Sequence, residues 1–307
     1  MIVRHRLARA IAAGAALLLA RAAGAQSAPP GTDIFLAPLT MRDGALTVGT
    51  PANITARPGY DNQPSFTPDG AAILYTSVRE DAQADIYRYD LRTGATTRLT
   101  RTPESEYSPA VMPDGRSISV VRVEADSTQR LWRFSLKGDR PKLVLERVKP
   151  VGYYVWGDAR TLLLFVLGTP ATLVRADART GAVSPVIENP GRSLQRIPGE
   201  SAVSFVRKRA HGENWVMRYD LPTGSFLPLV RALPESEDHA WTPRRTLLMA
   251  RGNRLYAWTA PADGGDGEWR EIAAFGDPAM ARITRLAVSP AGDRIAIVAE
   301  PAPEAEP

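Results

Sequence analysis

The polar residues that could take part in catalysis or binding occur in short motifs with a repeated spacing. They are Glu104 and Glu106, Glu235 and Glu237, Asp238 with His239, and Asp61 with Asn62. Carboxylate and amide oxygens are ligands for divalent cations, and a histidine beside an acid can serve as a general base or a metal ligand. Acidic loop residues are also common on solvated surfaces. The spacing therefore allows a binding site, a metal site or a solvated face.

Several other kinds of catalytic site are excluded by residue types. The chain has no cysteine in 307 residues, so neither a thiol nucleophile nor a disulfide is possible. Beyond residue 25 only His211 and His239 remain, which rules out a three-histidine metal site within one subunit. The nearest approach to a Gly-x-Ser-x-Gly nucleophile elbow is residues 199–203, which lack the final glycine. We assign no catalytic residue.

The elements that position these residues follow a repeat of about 45 residues. Residues 63–77 contain a strand pattern, a Pro-Asp-Gly turn and a second strand pattern, and residues 85–100 add two strands around a Thr-Gly turn. Residues 108–122 and 130–138 repeat the phrase. Alternation of apolar and polar residues within these segments is typical of strands. The pattern predicts the four-stranded blades of a β-propeller.

The number of units predicts how the ring closes. Equivalent positions in successive first turns are Asp69, Asp114, Asp158, Gly199, Pro243 and Ala291. The sixth unit has only its two inner strands before the acidic, proline-rich segment 301–307, which we expect to be disordered. Residues 33–39 and 45–55 match the missing outer pair in character. We therefore predict an all-β, six-bladed β-propeller over residues 32–300, with its last blade closed by N-terminal strands.

The turn and strand phrases resemble those of TolB-type propellers. Residues 66–70 (Phe-Thr-Pro-Asp-Gly) and 111–115 (Val-Met-Pro-Asp-Gly) are similar to the Trp-Ser-Pro-Asp-Gly turns of that family, and residues 85–94 resemble its outer strands. The resemblance covers essentially the whole chain from residue 32 to about 300 and implies a six-bladed ring. TolB itself carries an extra N-terminal α/β domain, for which residues 26–60 are too short.

The N-terminus predicts where the protein works. Residues 1–9 carry three arginines, residues 10–20 are apolar, and Ala23-Gly24-Ala25 is a cleavage site of the A-x-A type. This layout is that of a secretory signal peptide over residues 1–25, followed by a flexible lead over 26–31, and the apolar run is too short for a membrane span. Without a cysteine there is no lipoprotein anchor. We expect a periplasmic or secreted protein.

The net charge gives no support for a nucleic-acid partner. The formal charge of the full chain is +5, and removal of residues 1–25 takes away four arginines and no acid, which leaves +1. A closed ring also has no sheet edge that must pair with another chain. We therefore expect a monomer that does not bind nucleic acid.

The loops at one end of a propeller channel give the functional hypothesis. Blades three apart face each other across a six-bladed ring, so the Glu-Ser-Glu phrases of blades two and five lie on opposite sides. We predict a protein- or peptide-binding module with no resident cofactor; the alternative is an enzyme of the lyase or lactonase type, acting on a small or glycan substrate with a divalent cation. The predicted rim residues are Asp61, Asn62, Glu104, Glu106, Tyr107, Glu237, Asp238 and His239.

Overall fold

The computed structural model describes residues 31–42, 44–79, 83–209, 212–261 and 267–303. The predicted signal peptide (1–25), most of the lead (26–31) and the last four residues of the tail (301–307) lie outside these ranges. Within the ranges the regular secondary structure is almost entirely β-strand, with a short 3-10 helix over Pro278–Met280. No described helix is long and apolar enough to cross a membrane.

The first three strands of the chain are far in sequence from the sheet that they join. They are β1 (Asp33–Arg42), β2 (Ala45–Val48) and β3 (Ala52–Asn53). Strand β1 pairs with β2 and β3 on one side and with a C-terminal strand on the other.

Five blades then follow in order, each a four-stranded antiparallel sheet. Blade one contains β4 (Tyr60–Phe66), β5 (Ala72–Val78), β6 (Ala84–Asp90) and β7 (Thr96–Arg98). Blade two contains β8 (Ser105–Val111), β9 (Ser117–Val123), β10 (Gln129–Ser135) and β11 (Lys142–Leu143). Blade three contains β12 (Val151–Trp156), β13 (Thr161–Val166), β14 (Thr172–Asp177) and β15 (Val183–Glu188).

Blades four to six complete the ring. Blade four contains β16 (Pro190–Arg196), β17 (Ala202–Arg207), β18 (Trp215–Asp220) and β19 (Phe226–Arg231). Blade five contains β20 (His239–Trp241), β21 (Leu247–Arg251), β22 (Arg254–Trp258) and β23 (Arg270–Ala274). Blade six joins β24 (Arg282–Val288) and β25 (Arg294–Glu300) to β1, β2 and β3.

The ring closes by pairing the two ends of the chain, which confirms the predicted fold class. Strand β25 pairs antiparallel with β1 from Asp33 opposite Ala299 to Pro38 opposite Arg294. Ile34 of β1 is fully buried against blade one, in a cluster with Ile73 and Tyr75. Full burial of one such side chain contributes about 1.5–3 kcal/mol, so the N-terminal strand adds packing as well as hydrogen bonds.

The inner hairpins owe their turns to local chemistry. Asp69 accepts hydrogen bonds from Thr67 Oγ1 at 2.6 Å and from the Ala71 amide at 3.0 Å, while Gly70 takes a φ of +67°. Asp114 and Gly115 repeat this arrangement in blade two. A glycine reaches positive φ without steric cost, which explains why the Pro-Asp-Gly phrase marks these turns.

The second strand of each blade forms the hydrophobic core. In β5 every residue from Ala72 to Ser77 is buried, and β9 shows the same run from Ser117 to Arg122. Each sheet is packed between two neighbouring sheets, so its middle strands lose solvent on both faces. The first strands, β4, β8, β12, β16, β20 and β24, are left to line the central channel.

Candidate functional site

Two connected cavities follow the axis of the ring. The first, which we call the mouth cleft, has a volume of about 580 Å³ and lies between blades four, five and six at the end where the inner strands begin. The second, the channel cavity, has a volume of about 690 Å³ and is lined by inner strands of all six blades. Both are lined by Arg192, Asp238, Arg285 and Leu286, so these residues lie at the junction of cleft and channel.

One position of the inner strands supplies most of the polar groups at this junction. In every blade it is the fourth residue before the one that begins the first turn, and we call the six residues the neck. They are Gln63, Ser108, Tyr153, Ser193, Asp238 and Arg285, and all of them line the channel cavity.

In five of the six blades the neck coincides with irregular pairing of the first two strands. Register shifts occur between Asn62 and Ser65 and between Tyr107 and Ala110, and similar shifts affect β12, β16 and β24. A β-bulge turns the affected side chain away from the regular alternation of the strand. The bulges therefore direct neck residues toward the axis.

Arg285 spans the channel from one side to the other. It belongs to blade six, yet its Nη2 donates a hydrogen bond to the hydroxyl of Tyr153 in blade three at 3.2 Å. Its guanidinium also lies 5.0 Å from the centre of the Tyr153 ring, within range of a cation–π interaction. Since these blades face each other across the ring, this contact marks the boundary between the mouth cleft and the channel cavity.

Asp238 is the acid at the neck. Its Oδ1 accepts a hydrogen bond from the Leu286 amide at 2.9 Å, and its Oδ2 lies 3.7 Å from Nη1 of Arg285. Burial raises the pKa of Asp238 to about 6, while Arg285 and Arg192 oppose this shift. The carboxylate thus joins blades five and six and faces the boundary between the two cavities.

Glu237 lies in the mouth cleft between two cations. Its carboxylate oxygens are 3.3 Å from Nε of Arg192 and 2.5 Å from Nζ of Lys208. The cleft is nevertheless basic, because five Lys and Arg side chains face three acids among the residues described. The basic residues are Arg192, Lys208, Arg251, Arg282 and Arg285, and the acids are Glu235, Glu237 and Asp238.

His239 makes a buried contact between two blades and does not line the mouth cleft. Its side chain is fully buried, and Nε2 lies 2.8 Å from Oγ of Ser204 in blade four, which also accepts a hydrogen bond from Trp241 Nε1. Tyr154 and Trp156 of blade three form the same arrangement with Ser119 of blade two. Burial lowers the pKa of His239 to about 4, so the imidazole is neutral at pH 7.

Asp61 and Asn62 fasten the start of blade one. Asp61 is fully buried and pairs with Arg57, whose Nε lies 3.1 Å from Oδ2. Burial raises the pKa of this carboxyl above its ordinary value. Asn62 Nδ2 donates a hydrogen bond to Oγ1 of Thr32, at the start of the closing segment. These contacts connect blade one to the N-terminal strands.

The acids of blade two form a pair around one arginine. Arg122 contacts Glu104 directly, and its Nε lies 3.6 Å from Oε1 of Glu106. Glu106 is fully buried, accepts a hydrogen bond from Thr102 and has its pKa raised by burial to about 7. Tyr107 is half-buried and packs against the core between blades two and three.

The structure thus divides the predicted rim residues into two groups. Glu237 and Asp238 line the mouth cleft, whereas Asp61, Asn62, Glu104, Glu106, Tyr107 and His239 make contacts within and between blades. The two Glu-Ser-Glu phrases do not line a common cavity among those described. In the described part of the chain, no group of three or more His, Cys, Asp or Glu residues is arranged to hold a metal ion.

Two important neck residues were not singled out from the sequence. Arg285 and Gln63 carry no recognisable motif. Counting four residues back from each first turn would have found both positions, but not the direction of their side chains, which the bulges determine.

Comparison with known proteins supports the architecture. No family model matches the chain, and no curated protein matches it in sequence. Its structure is similar to TolB of Acinetobacter baumannii at a TM-score of 0.56 and 16% identity, over 89% of this chain and 64% of that one. A TolB-type protein of Agrobacterium tumefaciens matches at a TM-score of 0.65 and 15% identity, over 87% of this chain and 98% of that one.

Propellers with other roles share the same ring. A chain of the nidogen–laminin complex matches at a TM-score of 0.60 and 13% identity, over 84% of this chain and 98% of that one. An oligogalacturonate lyase in complex with manganese also matches, at a TM-score of 0.51 and 16% identity. Structural similarity at such low identity establishes the fold, and the function has to be inferred from the site. The chain folds as a six-bladed β-propeller whose structure is similar to the solved TolB structures.

Proposed function

We propose that this protein is an exported binding module, periplasmic or secreted, that holds a segment of an envelope protein or peptide at the mouth of its channel. The observation that carries the proposal is the mouth cleft, a charged concavity of about 580 Å³ that continues into the channel. Exposed Lys208, Glu235 and Arg251 surround it, while Arg285 and Asp238 form its floor.

The arrangement suits recognition by a rigid surface. The cleft is built from three blades whose inner strands are held by the ring, so little conformational entropy is lost when a partner binds. Charged groups at its edge favour encounter with a complementary segment and reject a segment of the wrong charge. The similar propeller in the nidogen–laminin complex supports protein association as the class of function.

The predicted rim residues contribute in two ways under this proposal. Glu237 and Asp238 face the partner, and Tyr107 supports the neck residue Ser108 from the core between blades two and three. The buried residues hold the rim segments in place through the pairs of Asp61 with Arg57 and of Glu106 with Arg122.

Affinity capture from a cell-envelope extract tests the proposal. The bait would be the processed protein, compared with a variant in which Lys208, Glu235 and Arg251 are changed to Ala; all three are exposed, so the fold should persist. A control variant carries Arg92→Ala, Arg116→Ala and Lys137→Ala at exposed turns on the opposite end of the ring.

A partner that is held by the wild type and by the control, and lost by the cleft variant, supports the proposal once the purified pair binds with the same ranking. A partner held equally by all three baits, or no partner at all, contradicts binding through the mouth cleft.

A further inference from the structure

From the groups at the neck we infer that the bound partner segment presents a carboxylate, which Arg285 receives with hydrogen-bond donors of the neck. The inference rests on the proposed function and adds the chemistry of its ligand. The acidic rim residues predicted from the sequence would favour a cation, whereas the donors at the neck favour an anion.

Arg285 has more N–H donors than the contacts described for it use. Its guanidinium carries five N–H groups, and the contacts described are one hydrogen bond to Tyr153 and an approach of 3.7 Å to Asp238. The Asp238 carboxylate already accepts the Leu286 amide. An arginine fork of this kind matches the two oxygens of a carboxylate, and such charge-assisted bonds are stronger than neutral ones.

Two neutral neck residues offer further donors. The Oε1 of Gln63 accepts hydrogen bonds from Thr76 Oγ1 at 2.9 Å and from the Ser108 amide at 2.6 Å, which fixes the side-chain amide and leaves its Nε2 for another acceptor. The Ser108 Oγ is buried and has no hydrogen-bond partner among the described residues. A buried unpaired hydroxyl is costly, and a bound acceptor would remove that cost.

Tyr153 completes the donor set. Its hydroxyl oxygen accepts from Arg285, so its own proton remains available to an acceptor in the channel. Arg285, Gln63, Ser108 and Tyr153 come from blades six, one, two and three, which are consecutive around the ring. The donors therefore form an arc on one side of the channel, and Asp238 lies outside it in blade five.

The wider charge distribution favours the same ligand. The mouth cleft has five basic and three acidic side chains among the described residues, and the channel cavity has Arg192, Arg196 and Arg285 against Asp238. A concave surface with an excess of one charge concentrates ligands of the opposite charge. An acidic segment is therefore attracted to the cleft and meets Arg285 at its floor.

Direct titration with defined peptides tests the inference. The probes are acetylated, amidated hexaglutamate for side-chain carboxylates, acetylated hexaglycine with a free C-terminus, and acetylated, amidated hexaglutamine and hexalysine as neutral and basic controls. We expect hexaglutamate or the free C-terminus to bind the processed protein at least about tenfold more tightly than hexaglutamine, with an affinity that falls as salt is added.

Variants locate the site. Arg285→Gln should weaken binding of the preferred probe at least about tenfold, whereas Arg92→Gln, an equal charge change at an exposed turn on the opposite end, should leave it unchanged. The double variant Arg285→Gln with Asp238→Asn removes the acid that would otherwise lose its cation, and it should show the same weakening. The melting temperature of each variant confirms that it is folded.

The two proposals can fail separately. Three results would overturn the carboxylate site, even if envelope capture yields a partner at the mouth cleft. They are equal binding of hexaglutamate, hexaglycine and hexaglutamine, a preference for hexalysine, and full binding by both Arg285 variants. Carboxylate binding that depends on Arg285, together with failed capture, would support the site and refute the protein partner.

Discussion

The buried histidine offers a sharp test of how the blades are joined. His239 contacts Ser204 across the interface of blades four and five, and burial lowers its pKa from 6.5 to about 4. The unfolded chain therefore binds this proton more readily than the folded one. The stability that the neutral ring contributes is present above pH 6.5 and is lost as the pH falls toward 4.

The size of the effect follows from the two pKa values. One pKa unit corresponds to 1.36 kcal/mol, so His239 should cost the folded state about 2.5 kcal/mol between pH 7.5 and pH 4.5. Glu106 and Asp238, whose pKa values are raised to about 7 and about 6, act with the opposite sign, because the folded state favours their protonated forms. A variant at His239 isolates its term, since these acids are present in both proteins.

Urea unfolding of the wild type and His239→Gln at the two pH values provides the measurement. At pH 7.5 the variant should be less stable by about 1–3 kcal/mol, because it loses packing and a buried contact. At pH 4.5 the difference should fall by about 2.5 kcal/mol and can reverse in sign. Tyr154→Phe is the control: it removes the equivalent hydrogen bond to Ser119 and should have the same effect at both pH values.

The reasoning would be refuted by a difference between wild type and His239→Gln that stays constant from pH 7.5 to pH 4.5 while Tyr154→Phe behaves as expected. That outcome would mean that the imidazole is reached by water or is charged in the folded protein.

Two further predictions concern closure and metal. Deletion of residues 32–55 removes β1, β2 and β3 from blade six and uncovers Ile73 and Tyr75, so cooperative unfolding should be lost. A cooperative transition near the wild-type temperature, measured by circular dichroism, would contradict closure by the N-terminal strands. Treatment with EDTA, or addition of Mn²⁺ or Ca²⁺, should leave the melting temperature unchanged to within about 1 °C. A metal that binds only the folded state raises the melting temperature, so a larger saturable shift would favour the metal-dependent enzyme.

Much of the architecture could be predicted from the sequence because the signals are local. A Pro-Asp-Gly phrase specifies its turn through contacts such as Asp69 with Ala71, and alternation over a few residues specifies a strand. Repetition of these signals gave six units, and the unpaired strand patterns near residue 33 predicted which segment closes the ring. The pairing of β1 with β25 confirms that prediction.

The candidate site could be predicted only in part, because its residues depend on neighbours far away in the chain. Asp61 and Glu106 are acids, which in sequence indicate solvated loops. In the structure both are buried, and each is paired with an arginine, Arg57 or Arg122. His239 looked like a reactive group, and only the position of Ser204 on the preceding blade shows that it acts as an inter-blade contact.

The repeat and the closed ring follow from local signals in the sequence. Which polar groups face the channel depends on contacts between distant segments of the folded chain. Bulges in the inner strands break the two-residue alternation, so that Gln63 and Arg285 turn toward the axis. Arg285 then meets Tyr153, which is 132 residues away in the chain, and this contact holds a guanidinium with further hydrogen-bond donors at the neck.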